Sequence, residues 1–365
     1  MRGIAEQIRR DGAARGSALI VALWTISLLS MLVMSFALDA MLEGRIGTYQ
    51  RQRRRVDYLT QSGVAIAEML LEKQESVSAA SSADANEDRW KDIALRVKRG
   101  QTAVVDEPIG DGVVHVEIIP EPARWNINVL VGSNYDPVWE QIFTVAGIPQ
   151  DYFSGLIDCW NDWVDEDSLP LKDGAEDDYY KSLEPPYKAR NKQIDTVDEL
   201  RLVKGFVPAI LDGGVLNPEE KNKELQITVK GIKELFTTYG DGKINVNAAP
   251  MEVLLTIPGV DEITAGAIIE EREGTGAAGA GSSRAAAKKA SAAQGEAIDN
   301  SFTSVGDFMA RIPGLDSGVS AYVNVKSSTF RLVIEGQAAG ITHKIQAIAE
   351  YENKKIRYLQ WREDP

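Results

Sequence analysis

The chain has 365 residues, which is too long for one small hydrophobic core. Its formal net charge of −14 has the same sign as a phosphate backbone and would repel it, so nucleic acid is a poor partner. The single cysteine, Cys159, excludes an intrachain disulfide, and with it the disulfide framework on which small secreted domains depend.

The N-terminal region contains an uncharged apolar run at residues 18–38. A helix rises about 1.5 Å per residue, so a run of about twenty residues crosses the roughly 30 Å hydrocarbon core of a bilayer. The run therefore predicts a membrane-spanning helix. Lys and Arg residues are nearly balanced on its two sides. Only the nearest charges, Arg15 before the run and Asp39 and Glu43 after it, favour a cytoplasmic N-terminus.

Small residues precede this run, since residues 13–17 read Ala-Ala-Arg-Gly-Ser. A peptidase could remove the basic leader 1–16 there and leave the apolar helix attached. This order resembles the leader of type IV prepilins, and an ordinary single-span anchor with a basic flank is the alternative. A secretory signal fits less well, because its cleavage site follows a shorter apolar core.

Apolar residues continue beyond the membrane run at helical spacing, and the first 105 residues contain no proline. We therefore predict one helix from about Ser17 to Lys73, within a region 17–75. Its first half would lie in lipid and its second half on a globular head. The Ser-, Ala- and Asp-rich residues 76–88 are predicted to form a loop.

Strand patterns occur near both ends of the remaining chain. Residues 113–119 alternate between apolar and polar types, and residues 330–335, 341–351 and 356–361 form a matching set. We predict one antiparallel sheet, built from residues 89–125 and 326–365. An all-α domain, residues 126–325, would be inserted into it, and the fold class would be α+β.

The predicted insert contains an internal duplication. Asn-Ile-Asn at residues 126–128 precedes a Gly turn at residues 146–148, and Ile-Asn-Val-Asn at residues 244–247 precedes a Gly turn at residues 258–260. Both units resemble helix-hairpin-helix folds. Carboxylates or neutral groups stand where DNA-binding versions need cations, so packing is favoured over phosphate contact. A segment at residues 274–300, rich in Ala, Gly and Ser, is predicted to be a flexible insertion without catalytic meaning.

Residues 158–178 contain nine Asp and Glu residues and a single lysine. Aromatic and apolar residues interrupt this acidic run. Carboxylates folded together in this way repel unless a cation neutralises them, and calcium accepts six to eight oxygen ligands. The sequence therefore predicts one or two calcium ions. A solvated acidic loop without metal is the alternative, and zinc is disfavoured because His and Cys are scarce. The candidate ligands are Asp165, Asp167, Asp173, Glu176, Asp177 and Asp178.

Several segments together resemble the K-type minor pseudopilin of type II protein secretion, over nearly the whole chain. They are Asp-Trp-Val-Asp-Glu-Asp at 162–167, Gly-Ala-Glu-Asp-Asp-Tyr-Tyr at 174–180, Pro-Pro-Tyr at 185–187, Val-Asp-Glu-Leu-Arg-Leu-Val at 197–203 and Ile-Asn-Val-Asn-Ala-Ala-Pro at 244–250. The resemblance implies a pilin-like sheet with a large helical insert. It also implies an acidic calcium site, which maps onto residues 165–178.

The resemblance further implies cleavage between Gly16 and Ser17 by a prepilin peptidase, followed by N-methylation of Ser17. It implies a single-pass inner-membrane protein with a cytoplasmic N-terminus and a periplasmic head. This head would form or cap the tip of the pseudopilus with I- and J-type minor pseudopilins. The secreted substrate and the outer-membrane channel are further candidate contacts. Val21 stands where ordinary pilins carry Glu, which suits a subunit with no further subunit above it.

A membrane-anchored nucleic-acid receptor of the competence type is the alternative function, because of the hairpin units. No arrangement of serine, histidine and cysteine in the sequence supports nucleophilic catalysis. We therefore predict no enzymatic activity.

Overall fold

The computed structural model describes residues 2–74, 85–217, 219, 226–274 and 300–364. Its first element is helix α1, Arg2–Lys73. The helix ends where the sequence predicts, but it begins at Arg2 and not near Ser17, so the leader and the stem lie in one helix. The large apolar side chains from Leu19 to Leu38 are all more than half exposed. Among the described residues, α1 alone is long and apolar enough to cross a membrane.

The second half of α1 packs on a five-stranded antiparallel sheet. The helix buries Val56, Leu59 and Leu70 against the sheet residues Val116 and Ile334. This sheet, the helix α1 packed on it and the helical insert confirm the α+β class. In their order across the sheet, the strands are β1 (Ala103–Ile109), β2 (Gly112–Pro120), β9 (Thr329–Ala338), β10 (Ile341–Glu352) and β11 (Lys355–Asp364).

The N-terminal part of the predicted sheet region differs from the structure. Helix α2, Ala85–Lys98, occupies the end of the predicted loop and the first ten residues of the region predicted as sheet. Strand β1 was not predicted, because Asp106, Glu107 and Pro108 interrupt its apolar alternation. Residues 76–84 of the predicted loop lie outside the described residues.

The insert leaves the sheet after β2 and returns at β9, and these two strands pair directly from Val113–Gln337 to Pro120–Phe330. The prediction of an all-α insert was wrong in one respect, because the insert also contains three two-stranded pairs. Its elements are β3 (Trp125–Asn126), α3 (Asp136–Ala146), α4 (Phe153–Val164), α5 (Asp177–Lys181), α6 (Pro208–Asp212), β4 (Gly214–Val215), β5 (Thr228–Val229), β6 (Phe236–Thr237), β7 (Ile244–Asn245), α7 (Met251–Leu254), α8 (Glu262–Glu273), α9 (Val305–Arg311) and β8 (Val323–Asn324).

The insert consists of two units with the same plan. In the first unit β3 pairs in parallel with β6, and in the second β7 pairs in parallel with β8. Each unit contains a helical hairpin, α3–α4 or α7–α8. Gly147 and Gly259 turn these hairpins with φ angles of 78° and 87°, a backbone region that glycine enters without steric cost.

One asparagine anchors each unit in the same way. Asn128 donates to the Ile194 carbonyl oxygen at 3.0 Å and accepts from the Ile194 amide at 2.8 Å. Asn247 makes the same two bonds with Phe302, at 3.0 and 2.8 Å. The acidic segment of the first unit therefore occupies the same place in the repeat as the predicted insertion in the second. Residues 275–299 of that insertion lie outside the described residues.

Candidate metal centre

The acidic segment begins at the C-terminus of α4, a helix that buries Trp160, Trp163 and Asp162. The Asp162 carboxylate accepts a hydrogen bond from the Leu171 amide at 3.1 Å, and Asp158 accepts one from the Asp173 amide at 3.0 Å. These bonds fold the segment back onto α4. The carboxylates that follow Val164 are therefore held against the core of the insert.

Three of the six candidate ligands converge. Asp165, Asp167 and Glu176 each offer an oxygen, and these oxygens lie within 4.8 Å of one another. Glu176 is only 5% exposed. Neither of its carboxylate oxygens, nor Oδ1 of Asp165, has a hydrogen-bond partner in the described part of the chain. Buried acceptors without donors are costly, and a bound cation would compensate them.

Asn191 is a further candidate ligand that sequence reasoning missed. Its side-chain amide donates to the Asp167 carbonyl oxygen at 2.7 Å, and its backbone amide donates to the Trp163 carbonyl oxygen at 2.9 Å. Its Oδ1 atom is buried without a hydrogen-bond partner in the described chain. Asn side chains commonly supply neutral oxygens to calcium. The sequence signal, a run of acidic residues, does not include an amide side chain.

The other three candidates do not join this group. Asp177 forms an ion pair with Lys181 at 2.7 Å and accepts from the Ala189 amide at 3.0 Å. Hydrogen bonding to Lys181 lowers the pKa of Asp177. Asp178 is exposed, and Asp173 lies beside Lys172 at 3.9 Å. The structure thus assigns Asp177 a role in holding the segment together.

Two of the convergent carboxyls, those of Glu176 and Asp165, have raised pKa values. Burial, with the charges of Asp165 and Asp162, raises the pKa of Glu176 to about 7. Burial, with the charge of Asp167, raises the pKa of Asp165 to about 6. Without a metal the folded protein therefore binds protons that the unfolded chain releases between pH 4 and 7.

This difference predicts the pH dependence of metal-free stability. Because folding raises these carboxyl pKa values, their protonated forms favour the folded state below the unfolded pKa. That advantage is lost as pH rises through about 6 and about 7. We expect the unfolding temperature of the chelator-treated chain to be lower at pH 7.5 than at pH 5.5, by thermal denaturation. Glu176→Gln should flatten this slope, and an unchanged slope in that variant would contradict the assignment.

The donor set consists of oxygen atoms only. Hard cations such as calcium prefer carboxylate and amide oxygens, whereas zinc prefers His and Cys. His115 and His343 lie on strands β2 and β10 of the sheet, and Cys159 is buried in α4. Burial raises the pKa of the Cys159 thiol to about 11, which disfavours the thiolate that would bind metal. The residues present therefore fit calcium.

The two residues predicted to be processed, Gly16 and Ser17, both lie within α1, shortly before the exposed apolar segment. This position leaves the peptide bond between them at the cytoplasmic border of the predicted membrane span, if the N-terminus lies in the cytoplasm.

A family model described as type II secretion system protein K matches residues 123–213, which include α3, α4 and the acidic segment. Curated relatives with the same name are 29% identical over 167 residues in Pseudomonas aeruginosa, 32% over 111 in Klebsiella pneumoniae and 46% over 82 in Pectobacterium carotovorum. These matches cover 44%, 28% and 22% of the chain, and only 45%, 34% and 25% of the relatives.

The fold resembles a chain in the crystal structure of the GspK–GspI–GspJ complex from the enterotoxigenic Escherichia coli type 2 secretion system. The likeness covers 87% of this chain and 98% of the solved one, with a TM-score of 0.53 and 14% sequence identity. It supports the architecture of a long helix, a sheet and a large insert. None of these similar proteins carries a nucleic-acid function in its name, so the competence alternative gains no support.

Proposed function

We propose that the chain is a member of the type II secretion system protein K family and a minor pseudopilin at the tip of the periplasmic pseudopilus. The single observation that carries the proposal is the family match over the acidic segment of the insert. The exposed apolar half of α1 supports an inner-membrane anchor. In this proposal the head lies in the periplasm, the N-terminus lies in the cytoplasm, and a prepilin peptidase removes residues 1–16.

The proposed partners are I- and J-type minor pseudopilins, as in the complex named above. The stem between membrane and head supports this proposal. Leu42, Ile46 and Tyr49 are 56%, 53% and 52% exposed, at spacings that place them on one helix face. That face continues into the one that packs on the sheet through Val56. An exposed apolar stripe of this kind is typical of a surface that another helix covers.

Assembly can be tested by co-expressing the full-length chain with its I- and J-type pseudopilins and isolating the complex from membranes. We expect all three subunits to co-purify. Ile46→Asp should reduce recovery of the partners about tenfold or more, because it places a charge in the apolar stripe. Gly47→Asp is the matched control, since an added side chain there meets nothing within 4 Å. Recovery of the unmodified chain alone would refute the proposal.

The role proposed here is structural, without catalytic activity. The two histidines, His115 and His343, lie on the separate strands β2 and β10, whereas Cys159 lies in helix α4. Calcium, in one or two ions, is proposed as a stabilising ligand of the insert, bound by Asp165, Asp167 and Glu176 with Asn191 beside them. The ion would supply the positive charge that these oxygens lack.

A further inference from the structure

An apolar pocket of about 300 Å³ lies between the two units of the insert. Its walls come from the end of α3, the segment before β6, and α7 with the residues that flank it. It shares no residue with the metal centre. The apolar wall residues are Val145, Ala146, Leu235, Pro250, Val253 and Leu255. The charged lining residues are Arg124, Lys230, Glu234 and Glu252, and the last of these is exposed.

Arg124 lines this pocket. The negative charge of the buried Glu121 acts on Arg124 to raise its pKa, but both oxygens of the Glu121 carboxylate are engaged by other groups. Arg331 donates to Oε1 at 2.6 Å, and the Thr237 hydroxyl donates to Oε2 at 2.5 Å. Among the described residues, Arg124 forms an ion pair with Glu234, whose Oε2 lies 3.9 Å from a guanidinium nitrogen. The Glu234 side chain is 83% exposed.

The positive charge of Arg124 is therefore partly buried and only weakly neutralised by a carboxylate. Its side chain is 25% exposed. Burial, and then the positive charge of Arg331, lower the pKa of Arg124. A guanidinium removed from water is stabilised most by a carboxylate that accepts two parallel hydrogen bonds, and Glu234 at 3.9 Å does not provide them. A carboxylate that enters the pocket would.

We infer that this pocket binds the C-terminal residue of a polypeptide when that residue has an aliphatic side chain. The terminal carboxylate would lie on Arg124, with Lys230 as a second cation at the rim, and the side chain would lie among Val145, Val253 and Leu255. The volume is at the lower limit for ligand pockets, which suits one residue and not a long acyl chain.

The probes are N-acetyl-leucine, which mimics a chain end, and N-acetyl-leucinamide, which lacks the charge. The full-length chain in lipid nanodiscs, with labelled Leu and Val methyl groups, is titrated with each and followed by NMR. We expect the acid to shift the methyl signals of Val145, Leu235, Val253 and Leu255. It should bind about tenfold more tightly than the amide, because of the charged hydrogen bonds to Arg124.

Arg124→Gln should remove the difference between acid and amide, and Arg357→Gln should retain it. Arg357 is a fair control because its side chain is 72% exposed and pairs with Glu350 on the sheet. If Arg124→Gln disturbs the methyl spectrum as a whole, Glu234→Gln provides the second test, since loss of the competing carboxylate should strengthen binding of the acid. Equal affinities for acid and amide in the unmodified chain, or tighter binding of octanoate than of N-acetyl-leucine, would overturn the inference.

Discussion

Saturating calcium is expected to raise the unfolding temperature of the full-length chain by on the order of 5–10 °C at neutral pH. An ion that binds only the folded state at about one hundred times its dissociation constant adds about 2.7 kcal/mol, and each kcal/mol shifts the midpoint of a large domain by about 2–4 °C. The physical reason is the unpartnered oxygens of Glu176 and Asp165. Thermal denaturation with calcium and with chelator measures the shift.

Glu176→Gln is expected to abolish most of this shift, because it removes the buried charged ligand and retains the side-chain shape. The same variant should be no less stable than the unmodified chain in chelator, since it also removes a carboxylate that burial and its neighbours destabilise. Glu166→Gln is the matched control, because Glu166 is exposed and lies outside the convergent group. A full calcium shift in Glu176→Gln would exclude this site.

The mature protein is expected to begin at Ser17 with a methylated amino group. Intact-mass spectrometry of the chain from its native membrane should show the loss of residues 1–16 and the addition of one methyl group. Removal of the leader takes away Arg2, Arg9, Arg10 and Arg15, whose charges cannot enter the bilayer without a large cost. The uncharged run at residues 18–38 could then be drawn from the membrane into a filament.

Gly16→Val is expected to block this step, because the resemblance to prepilin leaders places Gly16 next to the scissile bond. The variant should retain Met1 and its unmethylated leader. Gly12→Val, which makes the same change elsewhere in the leader, should still be processed. A mature chain that keeps Met1 without any substitution would favour the ordinary single-span anchor, the alternative that residues 13–17 leave open.

The sequence predicted those features that depend on local periodicity. The end of α1 at Lys73 and the three C-terminal strands agree with the structure because apolar residues repeat there at helical or strand spacing. Strand β1 was missed because Pro108 and two acidic residues hide its alternation. The start of α1 was misplaced because a change from polar to apolar composition at Ser17 does not interrupt a helix. Helix α2 was missed as well.

By itself the sequence determined that the chain has an apolar membrane-length helix, a duplicated insert and an acidic segment, because composition and spacing are properties of contiguous residues. Only the tertiary structure decided which carboxylates meet. Asp165 and Glu176 converge because Asp162 draws the segment back onto α4, and Asp177 is removed from the group by Lys181. Asn191 and Arg124 likewise acquired their candidate roles from neighbours distant in sequence, which no local pattern encodes.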